Sequence, residues 1–118
     1  MTMNGRYPKR FEDDGTDVTV DLHGCSVLDA VHIIRRTVQE ANRRGRARVV
    51  VIHGKSGDGE GASKRTIKNE LSRMLEKDDV GSMISGSTQD AAGGQTTLWM
   101  TIGPKPIRSQ IRVRDVVR

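Results

Sequence analysis

The stretch from Asp17 to Ile52 constrains the fold more than any other part of the chain. Asp17 to His23 alternates strictly, with Val18, Val20 and Leu22 on one side and Asp17, Thr19, Asp21 and His23 on the other. That pattern predicts a half-buried strand. Gly24 ends it. Ser26, with Asp29 three residues on, is a variant of the capping box and opens a helix. Val27, Ala30, Val31, Ile34, Val38 and Ala41 then recur at three-and-four spacing, a single apolar stripe. Gly45 closes the helix, with Arg43 and Arg44 in the last turn, where the dipole favours cations. Val49-Val50-Val51-Ile52 is a continuous β-branched run, which predicts a strand covered on both faces. Strand, helix and strand in so short a span predict a right-handed βαβ unit with parallel strands.

The remainder of the chain adds a Gly-rich loop from Gly54 to Gly61 and a second helix carrying Ile67, Leu71, Met74 and Leu75. A weaker strand is expected over Val80 to Ser85, a turn from Asp90 to Gly94, and a last strand from Thr96 to Ile102. Pro104 and Pro106 end it. The expected fold is an α/β two-layer sandwich of βαβαββ type. Its sheet is mixed, mostly parallel and four-stranded, with two helices on one face and the other face partly open. The 118 residues make one domain. Residues 1–15 are expected to be a flexible lead-in, 16–103 the folded domain, and 104–118 a basic tail. In that tail Ile111, Val113, Val116 and Val117 could add an edge strand. No apolar run approaches ~18 residues, so no membrane span is expected. The first residues lack a signal-peptide apolar segment, and one cysteine allows no intrachain disulfide. The expectation is a soluble, cytoplasmic monomer.

Charge narrows the partners. Twenty basic residues against 15 acidic give a formal net charge of +5, which suits a polyanion such as nucleic acid. Tyr7, Phe11 and Trp99 are the only aromatics. Modules that stack successive bases on aromatic platforms need more of them on one surface. Binding is therefore expected through phosphates, backbone amides and shape. Arg35, Arg36, Arg43, Arg44, Arg46 and Arg48 form one basic cluster, and Lys64, Arg65 and Lys68 open the second helix.

The two parallel strands end alike, in Asp21-Leu22-His23-Gly24 and in Ile52-His53-Gly54-Lys55-Ser56-Gly57. In open α/β sheets ligands bind at the carboxyl ends of the strands. Neighbouring strands would bring His23 and His53 together there. Asp21 would orient or charge-stabilise the imidazole of His23, Lys55 would add a cation, and the glycines would leave amides to cradle an anion. Asp21, His23 and His53 are thus candidates for acid/base work on a phosphodiester. Gly54, Lys55, Ser56, Gly57, Lys64, Arg65 and Lys68 are candidates for holding its phosphates. Other readings are weaker. A P-loop would need a glycine where Val49 stands. A metal cluster of Asp21, His23, Cys25 and His53 lacks the usual spacing, so no metal site is expected. His32, beside Arg35 and Arg36, reads as a surface histidine.

Asp21-Leu22-His23-Gly24 resembles the Leu-Asp-Leu-His-Gly motif of the Smr (small MutS-related) domain family. Val51-Ile52-His53-Gly54-Lys55 resembles that family's Ile-His-Gly-Lys-Gly motif, and Gly93-Gly94-Gln95-Thr96-Thr97-Leu98 is similar to its closing segment. The resemblance covers about residues 17 to 103. It implies a βαβαβ-type sandwich similar to the C-terminal domain of bacterial translation initiation factor three. It also implies nucleic-acid binding and, in many members, endonuclease activity on RNA or DNA. Cleavage roles transfer to Asp21 and His23, and the second motif transfers to His53, Gly54 and Lys55. Four positions depart from the family pattern. Ser56 and Thr96 stand where glycines are usual, and Ser63 and Glu70 where Leu and Trp are expected.

The expected function is phosphodiester cleavage, with RNA favoured over DNA because paired histidines suit attack by a ribose 2′-hydroxyl. Either histidine could be the base. No cofactor is required, and dependence on Mg²⁺ or Mn²⁺ stays open. Two alternatives stand beside it. One is a module that binds nucleic acid or docks on the ribosome without cutting. The other is a DNA-nicking accessory of repair or recombination. Affinity is expected from Lys55, Lys64, Arg65 and Lys68, with the arginines after the first helix at the opposite edge.

Overall fold

The computed structural model describes residues 7–54, 66–77, 80–101 and 106–117. The strands are β1 (Arg10–Asp13), β2 (Asp17–Asp21), β3 (Arg48–Ile52), β4 (Ile84–Gln89) and β5 (Gln95–Met100). The helices are α1 (Val27–Arg43), α2 (Ile67–Glu76) and the short α3 (Val113–Val117). One five-stranded sheet runs in the order β1-β2-β3-β5-β4.

The βαβ unit forms as the sequence pattern dictates. β2 and β3 are parallel, with Asp17 opposite Arg48 and Asp21 opposite Ile52. Ser26 caps α1: its Oγ accepts from the Asp29 N–H at 3.2 Å and donates to Asp29 Oδ2 at 2.8 Å. At the other end Arg46 N–H donates to the Ala41 carbonyl and Gly45 N–H to that of Asn42, the two bonds of a Schellman motif. Val18, Val20, Val49, Val51 and Leu98 cover one face of the sheet and share a core with Ile34 and Val38 of α1 and Leu71 of α2, all 2% exposed or less.

The sheet differs from the expected four mostly parallel strands. It has five, and β2–β3 is the sole parallel pair among the described strands. β1 joins β2 through a short turn, which requires antiparallel pairing. Asp14 Oδ1 fixes that turn by accepting from the N–H groups of Thr16 and Asp17 at 2.8 and 2.7 Å. β4 and β5 are joined by the turn from Asp90 to Gly94 and are antiparallel too. Residues 10–13, placed by the sequence in the lead-in, are therefore the first strand. The weak strand expected from Val80 begins later, because Gly81–Met83 makes a 3₁₀ turn. Val50 and Ile52 are half-buried rather than covered on both faces, since the helices occupy one side only.

The third helix lies in the segment expected to be a tail. Ile111 and Val116 are buried, and the Arg36 guanidinium of α1 donates to the Asp115 carbonyl at 3.1 Å. The neighbouring arginines anchor this segment. Arg46 makes a bidentate pair with Asp13 at 2.7 and 3.0 Å, with both side chains sealed from solvent. Its remaining N–H groups donate to the carbonyls of Arg44, Ile107 and Ser109. Arg44 donates to the carbonyls of Ser109 and Gln110. Burial alone would raise the Asp13 pKa. The Arg46 bonds and the N–H groups of Ile111 and Gly15 outweigh it and hold the carboxyl below the usual carboxylate range.

Candidate nucleic-acid interface

One edge of the sheet gathers the carboxyl ends of β2 and β3 and the turn before β5. His23 lies two residues past the end of β2, on the side of the alternating pattern that faces away from the core. Its Nδ1 meets Asp21 Oδ1 at 2.6 Å, and the same oxygen accepts the His23 backbone N–H at 3.2 Å. With Asp21 ionised, this bond places the proton on Nδ1 and leaves Nε2 as the open ring nitrogen. The His23 side chain is 50% exposed and that of Asp21 is 17% exposed. The carboxylate is thus held by the fold while the ring faces solvent.

His53 stands one strand over in a different environment. It is 2% exposed. Its Nδ1 donates to the Gly54 carbonyl at 2.8 Å, and its Nε2 accepts from the Thr96 hydroxyl at 2.8 Å. Burial lowers its pKa, with the charge of Lys68 adding in the same direction. The ring is therefore a neutral imidazole tied to β5. The structure does not bring a free nitrogen of His53 to the edge that His23 faces.

What His53 supports is the junction beside His23. The N–H groups of His53 and Gly54 both donate to the Gly94 carbonyl at 3.0 Å. Gly94 N–H in turn donates to Asp90 Oδ1 at 3.0 Å. Gly54 has φ 81, and a Cβ there would meet His23 Cβ at 3.5 Å. The residue must be glycine chiefly for its backbone conformation. Lys68, in the first turn of α2, brings its Nζ to 3.3 Å from where a Cβ of Gly93 would stand. Lys68 thus lies beside the closing Gly-Gly turn. Lys55, Ser56, Gly57, Lys64 and Arg65 lie outside the described residues.

Thr96 and Asp90 were not singled out as site residues in the sequence. The β3–β5 register brings them in: Ile52 pairs with Gln95, so the residues after β3 meet the closing Gly-Gly turn. Thr96, one of the departures from the family pattern, is the group that closes off His53 Nε2. Glu70, another departure, pairs with Arg73 on α2. Cys25 donates its thiol to the Tyr7 carbonyl at 3.4 Å, and burial pushes its pKa up, so it carries no thiolate character.

The arginine-rich stretch lies elsewhere. Arg43 pairs with Glu40, and Arg48 pairs with Asp17 and lies over the Trp99 ring, 5.3 Å from its centroid. Arg48 opens β3, at the edge opposite His53. No helix among the described residues is long and apolar enough to cross a membrane.

Comparison with known proteins agrees with this geometry. No curated protein matches the chain. Among solved structures, the crystal structure of the Smr domain of Thermus thermophilus MutS2 aligns with a TM-score of 0.56 at 20% identity, covering 70% of this chain and 96% of that one. At that identity the likeness concerns the fold. The family model described as the Smr domain matches residues 20–101, which takes in both strand-end motifs and the closing turn. The chain belongs to the Smr domain family, whose members bind nucleic acid.

Proposed function

We propose that this chain binds nucleic acid along the edge formed by His23, Gly54 and Gly94 and cleaves phosphodiester bonds there, RNA in preference to DNA. The observation that carries the reading is the Asp21–His23 pair: a carboxylate fixes one ring nitrogen, and the other faces solvent. Nε2 takes the proton of a ribose 2′-hydroxyl, whose oxygen attacks the adjacent phosphorus. Asp21 stabilises the imidazolium that results. The 5′-oxygen leaves with a proton from water or from the same imidazolium, and a 2′,3′-cyclic phosphate remains. Lys68 adds positive charge at this edge, where the phosphorane gains negative charge. His53 acts as a positioning residue, holding Gly54 and Gly94 together beneath His23.

A second reading has its own observation. The engagement of both His53 nitrogens leaves a single imidazole at the edge where two were expected, which favours a module that binds without cutting.

Incubation of the full chain with end-labelled RNA and with DNA of the same sequence separates the two. EDTA, Mg²⁺ and Mn²⁺ are compared in parallel. Cleavage of RNA with cyclic phosphate ends, and little of DNA, is the expected result. Salt-dependent binding of both with no cleavage under any condition selects the second reading. Equal cleavage of RNA and DNA contradicts the 2′-hydroxyl route.

A further inference from the structure

The antiparallel strand β1 delivers a basic side chain to the proposed site from outside the residues that match the family. Lys9 precedes β1, and its N–H donates to the Asp21 carbonyl at 2.8 Å. Arg10 is paired opposite Asp21, so Lys9 turns to the other face of the strand, toward the start of α1. Its side chain runs over Gly24. A Cβ on Gly24 would lie 3.3 Å from Lys9 Cε and 3.5 Å from Nζ. Gly24 also has φ 88, so its backbone conformation calls for glycine. The Lys9 charge reaches Cys25, the next residue. Lys9 has no carboxylate within ion-pair reach among the described residues, whereas its neighbour Arg10 is paired with Glu12 at 3.2 Å.

The order of strands places Lys9 relative to Lys68. Along the edge the sequence is β1 with Lys9, β2 with His23, β3 with Gly54, and the turn before β5 with Gly93 and Lys68. Three strand spacings separate the outer members, about 14 Å at the usual interval. One ammonium group therefore lies on each side of His23.

We propose that Lys9 is a substrate-binding residue, whose ammonium holds a backbone phosphate on the β1 side of His23 while Lys68 serves the β5 side. The nucleic-acid strand then runs along the sheet edge, across the ends of β1, β2, β3 and β5. This inference rests on the reading that the edge binds nucleic acid. It adds a subsite supplied by a residue that precedes the family-matching segment, which begins at residue 20.

The test is the salt dependence of binding to fluorescein-labelled oligouridine and oligodeoxythymidine, followed by anisotropy. The wild-type chain is compared with K9Q, K9R and R10Q, each checked for folding by circular dichroism. For single strands each phosphate contact contributes about 0.7 to the slope of log K against log salt. K9Q is expected to lower the slope by that amount with both probes, K9R to keep it, and R10Q to leave it unchanged. A wild-type slope in K9Q, or an equal loss in R10Q, overturns the proposal and leaves the edge as the binding site. Absence of salt-dependent binding by the wild-type chain overturns the underlying reading, and this inference with it.

Discussion

His23 and His53 share part of a local pattern, since each follows an apolar residue at a strand end and precedes a glycine. Their surroundings separate them. His23 is bonded to a carboxylate two residues away, an arrangement that sequence alone could anticipate. His53 is bonded to Thr96, 43 residues away in sequence, which only the β3–β5 register brings near. Thr96→Val removes the hydroxyl and leaves a buried ring nitrogen without a donor, a loss of about 1–3 kcal/mol. Urea unfolding at neutral pH measures it. The His53 pKa is lowered in the folded state, so the unfolded chain takes up a proton that the folded chain resists. Stability is then greatest above the unfolded value of about 6.5 and declines as pH falls below it. His53→Gln is expected to flatten that decline, as followed by urea midpoints from neutral to mildly acid pH.

Among the elements, α1 was the most legible because its signals are local. The cap, the stripe and the closing glycine all lie within its own segment. Ser26→Ala should cost about 1 kcal/mol by removing the cap bond to Asp29, again read from the urea midpoint. Ile33, outside the expected stripe, is fully buried, because α1 packs against α2 and α3 as well as the sheet. The edge strands were the least legible. β4 reads Ile-Ser-Gly-Ser-Thr-Gln and is exposed along nearly all its length. β1 is four residues long with one buried position. Neither needs the alternating apolar pattern by which strands are found, since each pairs on one side and has little core to cover.

At the scale of the molecule, the number of arginines is a poor guide to exposed positive charge. Arg44 and Arg46 are turned inward, where they tie the last described segment to β1 and to the end of α1. The sequence shows basic residues and cannot show that Arg44 and Arg46 meet the distant carbonyls of Ile107, Ser109 and Gln110. Asp13→Ala leaves the Arg46 guanidinium buried without its partner and should cost about 3–5 kcal/mol. With its folded pKa lowered, Asp13 contributes stability that is present above the unfolded value of about 3.9 and lost as pH falls through the folded value. On the binding side, Lys68→Ala should reduce the salt slope by about 0.7–0.9. Arg43→Ala combined with Arg48→Ala, at the opposite edge, should leave it near the wild-type value.

The central claim is that His23, oriented by Asp21, performs the proton transfer. Single-turnover cleavage of RNA by the wild-type chain, His23→Ala and Asp21→Asn, at enzyme concentrations that saturate binding, tests it most directly. General acid–base catalysis contributes roughly 10²–10⁴-fold, so His23→Ala should slow cleavage at least about a hundredfold while RNA affinity stays close to wild type. Asp21→Asn should fall in the same direction. A folded His23→Ala variant that cleaves RNA at the wild-type rate would contradict the account.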